Sequence, residues 1–166
     1  MTVKPGWEGR FFEDFEVGDV YRCRYGRTVT DADNTWFTLL TNNTNQLHFN
    51  THYAARTPWG RPLVNSALTL AIIAGMGVAD VSENGFALGW DRIDLPNPVF
   101  AGDTLYSESE VIGVRESASH PERGIVTVQT RGYNQDGTLV IRYVRSIMVW
   151  KRAAAPSVDL FPTPAE

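Results

Sequence analysis

The chain lacks the features that would tie it to an oxidising compartment, a membrane or a polyanion. Cys23 is its only cysteine, so no internal disulfide can form and nothing points to secretion. The opening residues, Met1-Thr2-Val3-Lys4-Pro5-Gly6-Trp7-Glu8, contain no apolar run of the kind a signal peptide needs. A cytoplasmic location is the default expectation. Lys and Arg number 15 against 19 Asp and Glu, a net charge of −4, and the basic residues form no run. No footprint for nucleic acid or for an anionic membrane results. A few local arginines can still hold a phosphate or carboxylate in an acidic protein. The most apolar stretch, residues 64–79, is interrupted by Asn65, Ser66, Thr69, Gly75 and Gly77. As a helix it would rise only about 24 Å, which predicts a buried core helix and not a membrane span.

What is present describes one ordinary globular unit. Of the 166 residues 43% are hydrophobic and 20% charged, which suits a single domain over residues 1–152 with an Ala- and Pro-containing tail at 153–166. Alternating residues predict a strand over 20–28. Thr30 or Asp31 then offers an N-cap, and Asp31 and Asp33 suit the first turn of a helix carrying Trp36, Phe37, Leu39 and Leu40. That helix is expected to stop at Thr41-Asn42-Asn43-Thr44-Asn45, whose side chains compete for backbone hydrogen bonds. A short helix over 51–56 and the apolar helix over 64–79 follow. The remainder reads as strands over 86–95, 104–115, 125–133 and 139–150, the last two joined by Asn134-Gln135-Asp136-Gly137, a hairpin signal. The apolar helix is hydrophobic on nearly every face and must be surrounded by protein. An α+β domain in which an antiparallel sheet wraps that helix satisfies the pattern, with homo-oligomerisation to cover the other face.

The densest polar cluster is Thr41-Asn42-Asn43-Thr44-Asn45-Gln46-Leu47-His48, between two helices. Asn43 stands five positions before His48. A loop of this kind can aim an amide and an imidazole at one water, the amide oxygen accepting from it and the imidazole exchanging its proton. The same residues also suit plain helix capping, with His48 a hydrogen-bonded structural histidine. His52, four positions after His48, has no third partner at metal-ligand spacing, so no metal is expected. His120 sits in a polar loop and reads as solvated. The glycines form no phosphate-cradling pattern.

Four segments in order carry a resemblance: 12–19 (Phe-Glu-Asp-Phe-Glu-Val-Gly-Asp), Leu47-His48-Phe49-Asn50 with Ala54-Ala55, Gly60-Arg61-Pro62-Leu63-Val64-Asn65-Ser66, and 98–105 (Pro-Val-Phe-Ala-Gly-Asp-Thr-Leu). Over about residues 11–151 the chain resembles the MaoC-like dehydratases, hotdog-fold (R)-specific enoyl-CoA hydratases. The run Thr41 to His48, with Leu88-Gly89-Trp90-Asp91 and Leu95-Pro96-Asn97-Pro98, is most similar to the mesaconyl-CoA hydratase (β-methylmalyl-CoA dehydratase) branch. The resemblance implies a hotdog fold and reversible addition of water to an α,β-unsaturated acyl-CoA. It implies no cofactor beyond the coenzyme A of the substrate, and a homodimer or higher homo-oligomer. In that family's Ser-Gly-Asp-x-Asn-Pro-x-His element the histidine matches His48 and the second amide Asn45. The Pro position is Gln46, and the catalytic Asp position is Asn43. The backbone N–H of the oxyanion hole falls at Ser66, preceded by Asn65.

An amide orients water but cannot deprotonate it, so His48 is expected to carry more of the proton traffic, with Asp91 the carboxylate to watch. Arg61 is a candidate for a substrate carboxylate or phosphate. Alternatives are a general (R)-specific enoyl-CoA hydratase, a catalytically weak acyl-CoA binding module and an acyl-CoA thioesterase, since a fold does not settle function.

Overall fold

The computed structural model describes residues 2, 4 and 6–156. Two short strands open the fold, β1 (Val20–Arg22) and β2 (Arg27–Thr28). Three helices follow, α1 (Asp31–Leu40), α2 (Thr51–Ala54) and α3 (Ser66–Met76), and then β3 (Gly85–Asp94), β4 (Thr104–Glu116), β5 (Arg123–Tyr133) and β6 (Leu139–Trp150). The strands form one antiparallel sheet in the order β1-β4-β5-β6-β3, with β2 also paired to β4. This sheet covers α3, the α+β hotdog arrangement expected from the sequence. Among the described residues no helix is long and apolar enough to cross a membrane.

Alternation places the core. On β6 the residues Ile141, Tyr143, Ile147 and Val149 are buried, and Ile141 and Tyr143 join Leu68, Ile73 and Met76 of α3 in one cluster. The helix approaches the sheet closely over Gly132, where an added Cβ would lie 2.8 Å from Ile73 side-chain atoms and 2.7 Å from Ile141. The 134–137 hairpin forms as expected. Gly137 takes φ +75°, and Asn134 Oδ1 accepts from the N–H groups of Asp136 and Thr138.

Several elements differ in extent from the expectation. The strand over 20–28 is split by a turn at residues 23–26. The apolar helix begins at Ser66, because Asn65 caps it through Ala67 N–H at 2.9 Å, and stops before Gly77, after which Val78–Ser82 forms a single π turn. β3 carries irregularities between Ala87 and Gly89 and between Asp91 and Asp94, with Arg92 at φ +51°. Of the expected tail, Arg152–Ala154 is a short 3₁₀ turn whose Arg152 pairs with Asp14 at 2.6 Å. Residues 157–166 lie outside the described residues.

α1 packs in an unexpected sense. It buries Asn34 and Thr38, while Trp36 is 75% and Leu40 76% exposed. Its start is fixed by a reciprocal cap: Asp33 N–H donates to Thr30 Oγ1 at 3.1 Å, and Thr30 N–H donates to Asp33 Oδ2 at 2.8 Å. Burial works to raise the Asp33 carboxyl, but the Arg27 ion pair and the Thr30 hydrogen bonds outweigh it and hold the group below its ordinary 3.8. A carboxyl depressed on folding contributes stability above pH 3.8 and loses it as the pH falls through the folded-state value. Thermal melts of Asp33→Ala should therefore show lower stability than the wild type at pH 7, by about 1 kcal/mol. The gap should narrow below pH 3.8; a gap of constant size across the acid range would contradict the assignment.

Candidate active site

The loop between α1 and α2 is built by its own side chains. Asn42 takes φ +55°, a conformation Asn tolerates through local hydrogen bonding. Asn43 N–H then returns to Thr38 O at 3.0 Å. Asn43 Oδ1 accepts from Asn45 N–H at 3.0 Å, and Asn45 Oδ1 accepts from Leu47 N–H at 3.1 Å, starting the 3₁₀ turn Gln46–His48. Asn50 caps α2 through Tyr53 N–H. The capping reading of these polar residues is thus realised, and it coexists with a defined setting for His48.

His48 is 8% exposed, and its Nδ1 lies 2.8 Å from the carbonyl oxygen of Leu63. A carbonyl only accepts, so Nδ1 carries the hydrogen and the neutral ring keeps its lone pair on Nε2. Leu63 N–H donates to Leu47 O at 3.1 Å and Val64 N–H to Val99 O at 2.9 Å. The histidine turn and the segment entering α3 are thereby stitched together. Asn65, which caps α3, also donates from Nδ2 to Thr38 Oγ1 at 3.3 Å. Ser66 is the first residue of α3, and its N–H has no acceptor among the described residues. A free N–H at a helix start, with the positive end of the helix dipole behind it, suits a developing oxyanion.

Two cavities with no lining residue in common adjoin the segment from Arg61 to Ser66. One, of about 180 Å³, is lined by Ser66, Leu63, Trp59, Thr69 and the Leu95–Val99 segment. The other, of about 500 Å³, is lined by His48, Asp31, Thr35, Phe49, Arg61 and Ala101 among others. Leu63 lines the first and holds the His48 ring that lines the second.

The structure thus brings together His48, Arg61 and, through Leu63, Ser66. Arg61 lays its guanidinium 4.0 Å from the centroid of the Phe100 ring and makes no ion pair among the described residues. Asn65 and Asn45 spend their side-chain oxygens on capping. Asn43 turns the amide oxygen expected to accept from water onto Asn45 N–H, and it lines neither cavity. One lone pair of that oxygen and the NH₂ group remain open. Asp91 lies on the edge strand β3 opposite Val144 and also lines neither cavity. The carboxylate that shares the His48 cavity is instead Asp31. Its sequence signal, an acid at the start of a helix, suits an N-cap or the helix dipole and says nothing of a cavity. Asn34, which bonds both His48 and Leu63, carried no signal beyond being a polar residue four positions before Thr38.

Comparisons with known proteins place the sequence and the fold. The family model for mesaconyl-CoA hydratase matches residues 4–159. The mesaconyl-CoA hydratase of Cereibacter sphaeroides is 37% identical over 151 residues, 90% of this chain and 44% of that protein. A MaoC domain dehydratase structure from Chloroflexus aurantiacus superposes with a TM-score of 0.85 at 31% identity, covering 98% of this chain and 46% of that one. A Mycobacterium tuberculosis protein described as having a double hotdog fold superposes at 0.78 with 21% identity, covering 94% of this chain and 47% of that one. The chain therefore spans a little under half the length of the curated relative it matches. By its sequence over nearly its whole length, and by the fold that carries the His48 site, the chain belongs to the mesaconyl-CoA hydratase family.

Proposed function

We propose that the chain adds water reversibly across the α,β double bond of an acyl-CoA thioester, mesaconyl-CoA to β-methylmalyl-CoA. The observation that carries the reading is the Leu63 carbonyl on His48 Nδ1, which leaves Nε2 as a proton acceptor next to the segment that opens α3. His48 Nε2 takes a proton from water as the water oxygen bonds to Cβ. The double-bond electrons move toward the thioester, whose oxygen becomes enolate-like and is met by the Ser66 N–H. The imidazolium then returns its proton to Cα, so the water's hydrogen and hydroxyl are added on one face. Asn43 lines neither cavity and is given no part in the proton transfer, and no cofactor enters beyond the coenzyme A of the substrate. Arg61, without a carboxylate partner among the described residues and braced on Phe100, suits the free carboxylate that distinguishes mesaconyl-CoA from a simple enoyl-CoA.

One observation favours a second reading. The amide at Asn43 lacks the carboxylate of the family's usual motif, which suits an acyl-CoA binding module with weak turnover. The two are separated by hydration assays of the purified chain. Hydration of mesaconyl-CoA in preference to crotonyl-CoA is expected, with His48→Ala folded but slower by about 100- to 10,000-fold. Thioester binding without turnover would support the module, and near-wild-type turnover by folded His48→Ala would remove His48 from the mechanism.

We also propose that a second copy of the chain completes the fold. Phe86, Leu88, Trp90 and Ile93 of edge strand β3 are exposed, as are Trp36, Leu39 and Leu40 of α1. An open edge strand and bare aromatic surface invite cover. The Mycobacterium tuberculosis protein, about twice this length, is described as a double hotdog, with a second such unit within one chain. Sedimentation equilibrium should give a dimer or larger homo-oligomer; a monomer at micromolar concentration would contradict this.

A further inference from the structure

The side chain of Asn34 is 2% exposed, and each of its polar groups is engaged. Nδ2 donates to the backbone oxygen of His48 at 2.7 Å and to that of Leu63 at 3.1 Å. Oδ1 accepts from Asn65 N–H at 2.9 Å. The partners settle the orientation of the amide: two carbonyl oxygens require donors, and a backbone N–H requires an acceptor. Aspartate, leucine or serine at this place could not satisfy all three.

The three partners are the backbone of the histidine itself, the carbonyl that receives its Nδ1 hydrogen, and the residue that precedes Ser66. We propose that Asn34 is a positioning residue for hydration, holding the His48 tautomer and the Ser66 N–H in one rigid unit. The inference rests on the His48 reading above. The Leu63 oxygen has two lone pairs, one taken by His48 Nδ1–H and the other by Asn34 Nδ2–H. With the second donor removed, that carbonyl is held by the histidine alone. The ring is then free to follow it or to exchange its proton to Nε2, which ends the base function of that nitrogen. The Asn65 contact carries the same constraint to the start of α3, so the base and the oxyanion donor keep their separation while substrate enters and leaves.

N34D tests this, because it keeps the shape and the acceptor for Asn65 N–H while removing both donors. The comparison variant is S109A, which loses a buried hydrogen bond to Thr130 on the sheet and touches nothing at the site. With mesaconyl-CoA, N34D should lower kcat by about 10- to 100-fold with little change in KM, and S109A should leave kcat unchanged. Long-range ¹H–¹⁵N spectra of the neutral His48 ring supply a readout that loss of stability alone does not move. Hydrogen on Nδ1 is expected in the wild type and in S109A, and a mixture or hydrogen on Nε2 in N34D. If N34D does not fold, N34S, which retains one donor and one acceptor, takes its place with the same expectations. A wild-type tautomer in the variant overturns the proposal, whether or not kcat falls. Absence of hydration by the wild type would sink the functional reading, and the spectra would still decide whether Asn34 sets the ring.

Discussion

The carbonyl oxygen of Leu63 accepts from His48 Nδ1 and from Asn34 Nδ2, and the rest of the site takes its geometry from that point. Leu63 is also bound through its N–H to Leu47 and bridged to Phe100. One residue therefore joins the histidine turn, helix α1, the strand-like approach to α3 and the Val99–Phe100 segment. Such a junction is costly to leave incomplete, since each buried polar group without a partner costs about 1–3 kcal/mol. The buried polar stripe of α1, Asn34 and Thr38, exists to complete it. The helix consequently leaves Trp36, Leu39 and Leu40 exposed, while Phe37 packs beside the core.

The chemistry follows from the same constraint. An imidazole fixed by its Nδ1 hydrogen presents Nε2 as its basic nitrogen, and a helix start one short segment away presents the Ser66 N–H, unpaired among the described residues. In the proposed hydration these two groups serve proton transfer at one end of a conjugated thioester and charge stabilisation at the other. The missing carboxylate at Asn43 then alters how water is oriented more than whether a base exists. Asp31 faces the same cavity as His48, so a carboxylate is present in the neighbourhood, contributed by the start of α1 and not by the loop.

Much of the fold was legible because period-two alternation over 104–116, 123–133 and 139–150 and a helix apolar on all faces admit few other arrangements. Extents were less legible where single residues decide them: Asn65 caps α3 two residues later than the apolar run begins, and Arg92 bends β3. In the site, His48 and Ser66 stood out through the motifs around them. Asn43 carries a turn contact from the neighbouring Asn45 N–H on its oxygen, which competes with any ligand, and it lines neither cavity. Asp91 attracted notice as an acid in an apolar strand, yet an edge strand lets such a residue face solvent. Asn34 was silent, because helical periodicity identifies a face without saying what that face must satisfy.

In the proposed mechanism His48 Nε2 and the Ser66 N–H act on the two ends of one conjugated thioester. A crystal structure of the protein with a saturated dicarboxylic acyl-CoA bound tests it most directly. That mechanism predicts the thioester oxygen within hydrogen-bond distance of Ser66 N–H, Cβ facing His48 Nε2, and the free carboxylate on Arg61. A thioester seated away from Ser66, or a His48 ring with Nε2 turned from Cβ, would contradict it.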